Sequence, residues 1–444
     1  MYAPQTTHEI NTRARRASTL AVASLALAAL AACGDAGVDS TRLIPPSQGE
    51  AASEPGPLAA GAAGEPVYAL VTLVWSDDGP TGYVLLSHSL DVQSPSLEQA
   101  REFAGYTSLG AIDGQLLVSP SAEDLTIQRF QISDELSWAQ TGALSFANQG
   151  VSEVGFYRQY LGREHAAYLD VDVTGRVLWD PVDFAIQGTR PEQALPLQRD
   201  GLQLYANFNR TQFVFDGEIS RPFSYHDDDW FVWGDETAIV SYDPDTNEVT
   251  KRIDAPCPGL DSITRDEQGN TYLGTWEYSA LSPLMGFGAA PCAVRLTADG
   301  ALDPSWNPAL ESQTDGRFVV NFRYIGGGKA IGAVLHTEEY GPNFDFRSLT
   351  EDTDDFWASV ARYHRLWLFD VDAGSASPVQ GIDDVEFVNP GFFHAVIDGR
   401  TFVFLTDGNS ETTESTLVYE LDVSGRATLR FKIPGSVTQW VRLR

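Results

Sequence analysis

Lysine is almost missing from this chain: Lys251, Lys329 and Lys432 stand against 26 arginines. Arginine holds planar anions through two hydrogen bonds where lysine cannot, although a GC-rich genome gives the same bias. Cysteine is nearly as rare, with Cys33, Cys257 and Cys292 the only three. Long helical periodicity is also missing, which argues against a helical bundle. The compact signatures of hydrolase and nucleotide chemistry do not occur. There is no Gly-x-Ser-x-Gly, no His-Glu-x-x-His, no P-loop and no Rossmann fingerprint. That leaves an enzyme only if its groups assemble from distant segments. Positive charge is scarce overall, and the formal net charge is −32. Such a field disfavours nucleic acid and anionic lipid surfaces as partners, and keeps the chain soluble.

The N-terminus has the parts of a bacterial export signal. Arg13, Arg15 and Arg16 are followed by an uncharged, Ala/Leu-rich stretch, Thr19 to Ala32. That stretch is shorter than the roughly 20 residues a membrane span needs. It ends in Leu30-Ala31-Ala32-Cys33-Gly34, which resembles the lipobox of bacterial lipoproteins. Residues 1–32 read as the signal peptide, and Cys33 as the residue that carries lipid. An ordinary cleaved signal with a chance cysteine is the alternative, and Arg15-Arg16 leaves a twin-arginine route open. Two acyl chains anchor stably where one does not. Gly34-Asp35 lacks Asp directly after Cys, which points to the outer membrane. Residues 33–66, rich in Ala, Gly, Pro, Ser and Glu, read as a flexible tether. Removing 1–32 leaves the remainder near −34, because that segment holds three Arg and one Glu.

Residues 67–444 read as one all-β domain. Short β-rich runs such as Tyr68–Trp75 and Thr401–Leu405 alternate with Gly, Asp, Asn and Pro. Two helical windows interrupt them, Ser96 to Phe103 and Asp355 to Tyr363. A weak repeat runs through the domain. One half is a Gly before an apolar strand, at Asp113-Gly114, Asp200-Gly201, Gly269, Gly328 and Asp398-Gly399. The other is strand, polar turn, strand, at Leu169–Gly175, Val240–Asp245, Val294–Gly300, Leu366–Asp372 and Tyr419–Gly425, with weaker copies near Ser89 and Gln131. About seven copies, at roughly 54 residues each, match four-stranded propeller blades. The expected fold is therefore a β-propeller of seven blades, with six to eight compatible with the uneven spacing. Val437 to Leu443 is the strand expected to close the ring on the first blade. A pair of β-sandwiches is the alternative architecture. Cys257 and Cys292, both preceded by Pro, are expected to form a disulfide in an oxidising compartment, with two buried free thiols as the alternative.

Taken together, the lipobox, the tether, the irregular blades and the ending Ser415 to Thr428 resemble MxcI-type lipoproteins. These accompany catecholate-siderophore (myxochelin) gene clusters of myxobacteria. The combination is also similar to propeller lipoproteins often encoded beside TonB-dependent receptors. The resemblance implies a role in siderophore or iron handling at the cell envelope. The partners it implies are the membrane through the lipid anchor and a ferric siderophore or its receptor. It brings no catalytic residues.

Candidate sites follow from chemistry. A ferric catecholate is flat, anionic and aromatic, so its site wants Arg beside aromatic rings. Arg210, Arg323, Tyr324 and Trp276 lie near expected strand ends and are the candidates. His226-Asp227-Asp228, before Asp229 and Trp230, is the densest group of metal ligands. It suits a divalent cation only with help from elsewhere, and no other cofactor is expected. Glu351–Asp355 reads as a loop or helix start. Six histidines after Cys33 (His88, His165, His226, His336, His364 and His394) are spread about one per blade. Four converging on an axis would hold iron, but scattered packing is the simpler account. The first functional expectation is a non-enzymatic binding protein of the envelope. A propeller hydrolase or metal-dependent oxidoreductase is the second, and a structural or adhesive surface protein the third.

Overall fold

A computed structural model describes residues 64–444 apart from 77–78, 120–124, 149–164, 168–174, 181–182, 192–194, 197, 206–212, 216–217, 228–231, 244–245, 247, 277–280, 307, 349–362, 383–392 and 408–414. Cys33, all of the tether before residue 64, and nearly all of the second helical window thus lie outside the described residues.

The chain is a β-propeller. Its described strands pair antiparallel into seven sheets. Within most sheets, strands next to one another in sequence are next to one another in space. Burial explains why the strands differ in composition. Tyr68–Ser76 and Thr237–Tyr242 are almost wholly apolar or small, and are buried on both faces. The strands at the other edge of their sheets, such as Trp138–Ser145, Val249–Ala255 and Ser375–Pro378, are largely exposed. A strand covered on both faces needs a continuous apolar run, whereas an outer strand needs only one apolar side. The core is divided between neighbouring sheets. Phe103, Leu116 and Phe130 join the first sheet to the second. Tyr68, Phe402 and Phe431 join the first to the last. Val320, Leu368 and Val403 join the last to the one before it.

Both halves of the sequence repeat are turns. Asp113-Gly114, Asp200-Gly201 and Asp398-Gly399 have positive φ at both positions, the two-residue hairpin that Asp-Gly favours. They join adjacent strands of one sheet. The second half is a hairpin whose first Asp folds back on the chain. Asp422 accepts from the N–H of Ser424 and Arg426, and Asp370 from those of Asp372 and Ala373.

The strand Ser436–Arg442 pairs with Tyr68–Ser76, which closes the ring. It is the edge strand of the first sheet, beside the edge strands Ser108–Ile112 and Phe393–Ile397 of the sheets on either side. Trp440 packs on Phe402 and Phe431. Tyr68 donates to Asp398 at 2.6 Å, and Asp398 also pairs with Arg442.

The helical reading of Ser96 to Phe103 is corrected. Only Leu97–Gln99 forms a single 3-10 turn, and Arg101–Ala104 is a strand paired with Gly82–Val84. Phe103 packs against Phe130 and Trp138, so tertiary burial overrode local propensity. The Cys257–Cys292 disulfide is present, with Cα atoms 5.7 Å apart.

Two outcomes are expected. A Cβ on Gly274 would lie 2.6 Å from the backbone N of Phe322 in the next sheet. Gly274→Ala should therefore destabilise by about 1–3 kcal/mol in chemical denaturation; an unchanged midpoint would mean that the sheets pack otherwise. Asp303 is held down to about 2 by Ser305 and Arg295. Its folded value lies below the unfolded one, so its stabilisation is present above 3.8 and lost as pH falls through about 2. Asp303→Asn should flatten the stability curve across that window; an equally steep curve would remove Asp303 as its cause.

Candidate functional site

Three inner-edge strands break register near their first residues, and each break falls at a polar position. In Leu260–Arg265 the extra residue is Asp261, because Leu260 faces Thr275 and Ser262 already faces Gly274. In Val319–Gly326, Val320 faces Ala333 and Arg323 faces Ile331, so Asn321 and Phe322 share one partner. In Ser436–Arg442, Val71 faces Gln439 and Thr72 faces Val437, which leaves Thr438 as the extra residue. A bulge bends its strand and re-aims a side chain. A fourth inner-edge strand, Phe393–Ile397, keeps register, and His394 is its second residue.

The break at Asn321 is built into the neighbouring sequence. Asn321 has φ 51°, a left-handed conformation in mid-strand. Such a conformation costs on the order of 1 kcal/mol or more for a residue other than glycine. Gly274 and Gly332 leave the room: a Cβ on either would come within 3 Å of Phe322 or Val319. Asparagine tolerates this backbone better than other side chains.

These positions are joined across three sheets. Ser262 Oγ donates to Asn321 Oδ1 at 2.5 Å. Arg323 Nε reaches Ser262 Oγ, and its Nη1 reaches His394 Nδ1, each at 3.4 Å. Asp261, Ser262, Asn321 and Arg323 are buried, while His394 is half-buried. Gln439 Oε1 accepts from the Leu109 N–H at 2.6 Å, tying two further inner strands. The hydroxyl of Thr438 is buried and has no hydrogen-bond partner among the described residues. The result is a cluster of hydrogen-bonding groups, Ser262, Asn321 and His394, around one guanidinium.

Of the ligand-binding candidates, Arg323 lies in this cluster. Tyr324, the next residue, lies in the apolar layer between two sheets instead. It stacks on Tyr272 and donates to Glu267 at 2.6 Å. Burial and that bond push its hydroxyl up to about 12. Trp276 is buried edge-on against Trp233, and Arg210 lies outside the described residues. The structure therefore does not bring Tyr324 and Trp276 to Arg323. Of the metal candidates, His226 is buried and stacked on Trp233. Asp227 accepts from the Val232 N–H, and Asp228 lies outside the described residues. Among the described residues no three His, Cys, Asp or Glu side chains come together as metal ligands, so the four-histidine arrangement does not form there. His88 bonds the carbonyls of Pro66 and Asp134, and His336 pairs with Glu338. Burial holds His336 below the usual histidine range.

Sequence reasoning singled out Arg323 and His394 but missed Asp261, Asn321 and Thr438. Nothing in a polar residue inside an apolar run distinguishes a bulge from ordinary alternation. The nearest signal was a glycine within two of the three neighbouring strands, Gly274 and Gly332.

Arginine can only donate, so His394 Nδ1 must accept from it and the ring proton sits on Nε2. Nitrogen NMR of the imidazole at neutral pH should show that tautomer. The opposite tautomer would break the Arg323–His394 link.

No family model matches the chain, and no curated protein matches it. Among solved structures, it is similar to a hypothetical selenium-binding protein from Sulfolobus tokodaii, at 9% identity and a TM-score of 0.50, over 86% of this chain and 94% of that one. It is also similar to the β-propeller domain of the Trilobed protease from Pyrococcus furiosus, at 10% identity and a TM-score of 0.44, over 83% and 93%. A Synechocystis apocarotenoid oxygenase aligns at 8% identity and a TM-score of 0.44, over 85% and 92%. At these identities the likeness is one of fold alone.

Proposed function

We propose that the protein is a lipid-anchored, seven-bladed propeller of the outer membrane. It binds a ligand or partner in ferric-siderophore handling through the inner ends of its strands. The observation that carries the binding site is the cluster of Ser262, Asn321, Arg323 and His394, drawn from three sheets around a strained bulge. Strain of this kind is retained where position matters more than stability. Binding is favoured over nucleophilic catalysis, because the Ser262 hydroxyl is bonded to an amide and a guanidinium rather than to a base. The lipid anchor at Cys33 and the siderophore class rest on the lipobox and on the resemblance of the chain to siderophore-cluster lipoproteins.

The test is a titration of the mature chain in detergent, following tryptophan fluorescence. Ferric catecholate should quench saturably, and free iron should not. No quenching by a folded protein would remove direct siderophore binding and turn attention to a TonB-dependent receptor as partner. Cys33→Ser should shift the protein from the membrane fraction to the soluble one; unchanged fractionation would remove the anchor.

A further inference from the structure

Phe287 is the one aromatic side chain among the exposed large apolar ones of the described residues, with 46% of its surface open. It follows the short helix Leu281–Met285, in the loop between the strands Thr271–Thr275 and Ala293–Leu296. A glycine of positive φ stands on each side of it, Gly286 at 91° and Gly288 at 63°. Both lie against neighbouring loops: a Cβ on Gly288 would be 2.8 Å from the Trp233 carbonyl oxygen, and one on Gly286 3.3 Å from the Arg347 guanidinium. The backbone is thus held on either side of Phe287 while its ring stays in water. Beside it lies the least enclosed apolar cluster of the fold. Leu284 of the same helix packs with Tyr340, Phe344 and Phe346, which lie in the loop after the strand Lys329–Leu335 of the next sheet. The three rings stand 4.8–5.0 Å apart. All four side chains are half-buried, and Leu335 is the one buried member, whereas every other cluster has several. Arg347 belongs to the 3-10 turn Phe346–Ser348, which touches the helix. It is exposed, and its guanidinium has no partner among the described residues. Glu338 and Glu339 are taken up by Arg317 and Arg365, and Asp345 accepts from the backbone N–H of Arg347.

We infer that this surface docks a partner protein, through a segment that sets a carboxylate beside an apolar or aromatic side chain. The inference uses no residue of the Arg323 cluster and does not depend on the binding reading above. An aromatic cluster left half in water gains by being covered, and such patches mark interaction sites. Aromatic rings and arginine are also the side chains that anchor protein interfaces. The unpaired guanidinium fixes the chemistry of the partner, because it holds a carboxylate through two parallel hydrogen bonds. The groups stand on loops of adjacent sheets, exposed or half-exposed rather than enclosed, so whatever covers them brings an apolar surface of its own. A membrane of anionic lipid is disfavoured by the net charge of −32. A second copy of the chain would bring that whole charge to the contact, whereas a partner needs only one carboxylate there.

The experiment selects a random-peptide phage library on the mature chain in detergent, then measures the enriched peptides by fluorescence anisotropy. They should share Asp or Glu beside Phe, Trp, Tyr or Leu. Phe287→Ser changes an exposed side chain, so the denaturation midpoint should hold while peptide affinity falls about tenfold or more. Arg347→Gln should weaken binding severalfold. It should also bind a peptide with Asn in place of Asp as well as it binds the original, an equality that a merely structural change does not produce. Val423→Ser alters the most exposed of the large apolar side chains, at 77%, and should leave the affinity unchanged. Enriched peptides without a carboxylate would overturn the inference, as would no enrichment at all. Unchanged affinity in Phe287→Ser, or an equal loss in Val423→Ser, would overturn it too. A dimer in sedimentation that Phe287→Ser dissociates would overturn it in favour of a second copy.

Discussion

The first sheet depends on its neighbours, because its strand Tyr68–Ser76 is buried on both faces. Isolated, the sheet that begins at Tyr68 would expose Leu70, Leu73 and Val84 to water on one side or the other. Burial of apolar area is worth about 25 cal/mol per Å², so a ring with one sheet loose loses a whole interface on each side of the gap. Closure by Ser436–Arg442 is thus the constraint on which the rest depends. The contacts there match that role: a ladder of main-chain pairs broken only at Thr438, Trp440 set on two phenylalanines, and Asp398 shared between Tyr68 and Arg442.

The polar cluster sits in the same frame at a local cost. Asn321 holds a backbone conformation that glycine would take more easily, and Thr438 buries a hydroxyl without a partner among the described residues. Around them the sequence is arranged to tolerate the disturbance, with Gly274 and Gly332 placed where a methyl group would collide.

Much of the architecture was legible in the sequence because turns are written locally. Asp-Gly pairs demand a backbone that few other pairs accept, and at Asp113, Asp200 and Asp398 they mark hairpins. The Asp of each strand–turn–strand unit carries its own hydrogen bonds, as at Asp370 and Asp422. The pairing of Cys257 with Cys292 followed from their isolation in the chain. Register was not legible. Whether Tyr324 joins Arg323 in a site or turns away to stack on Tyr272 depends on a single inserted residue, and insertion leaves no compositional trace. The window Ser96 to Phe103 misled for a related reason: its helical spacing is real, but Phe103 finds more to bury against Phe130 and Trp138.

The closing strand has a temporal consequence. Tyr68–Ser76 pairs with residues more than 360 positions later, so one edge of the first sheet stays open while all that lies between emerges. Contacts of such sequence separation form slowly, and an open, apolar strand edge invites pairing with other chains meanwhile. An emerging chain of this design would need a chaperone, or its own acidic surface, to keep that edge single until its last strand arrives. The strong negative charge, read at first as a matter of solubility, would then act most in the minutes before the ring exists.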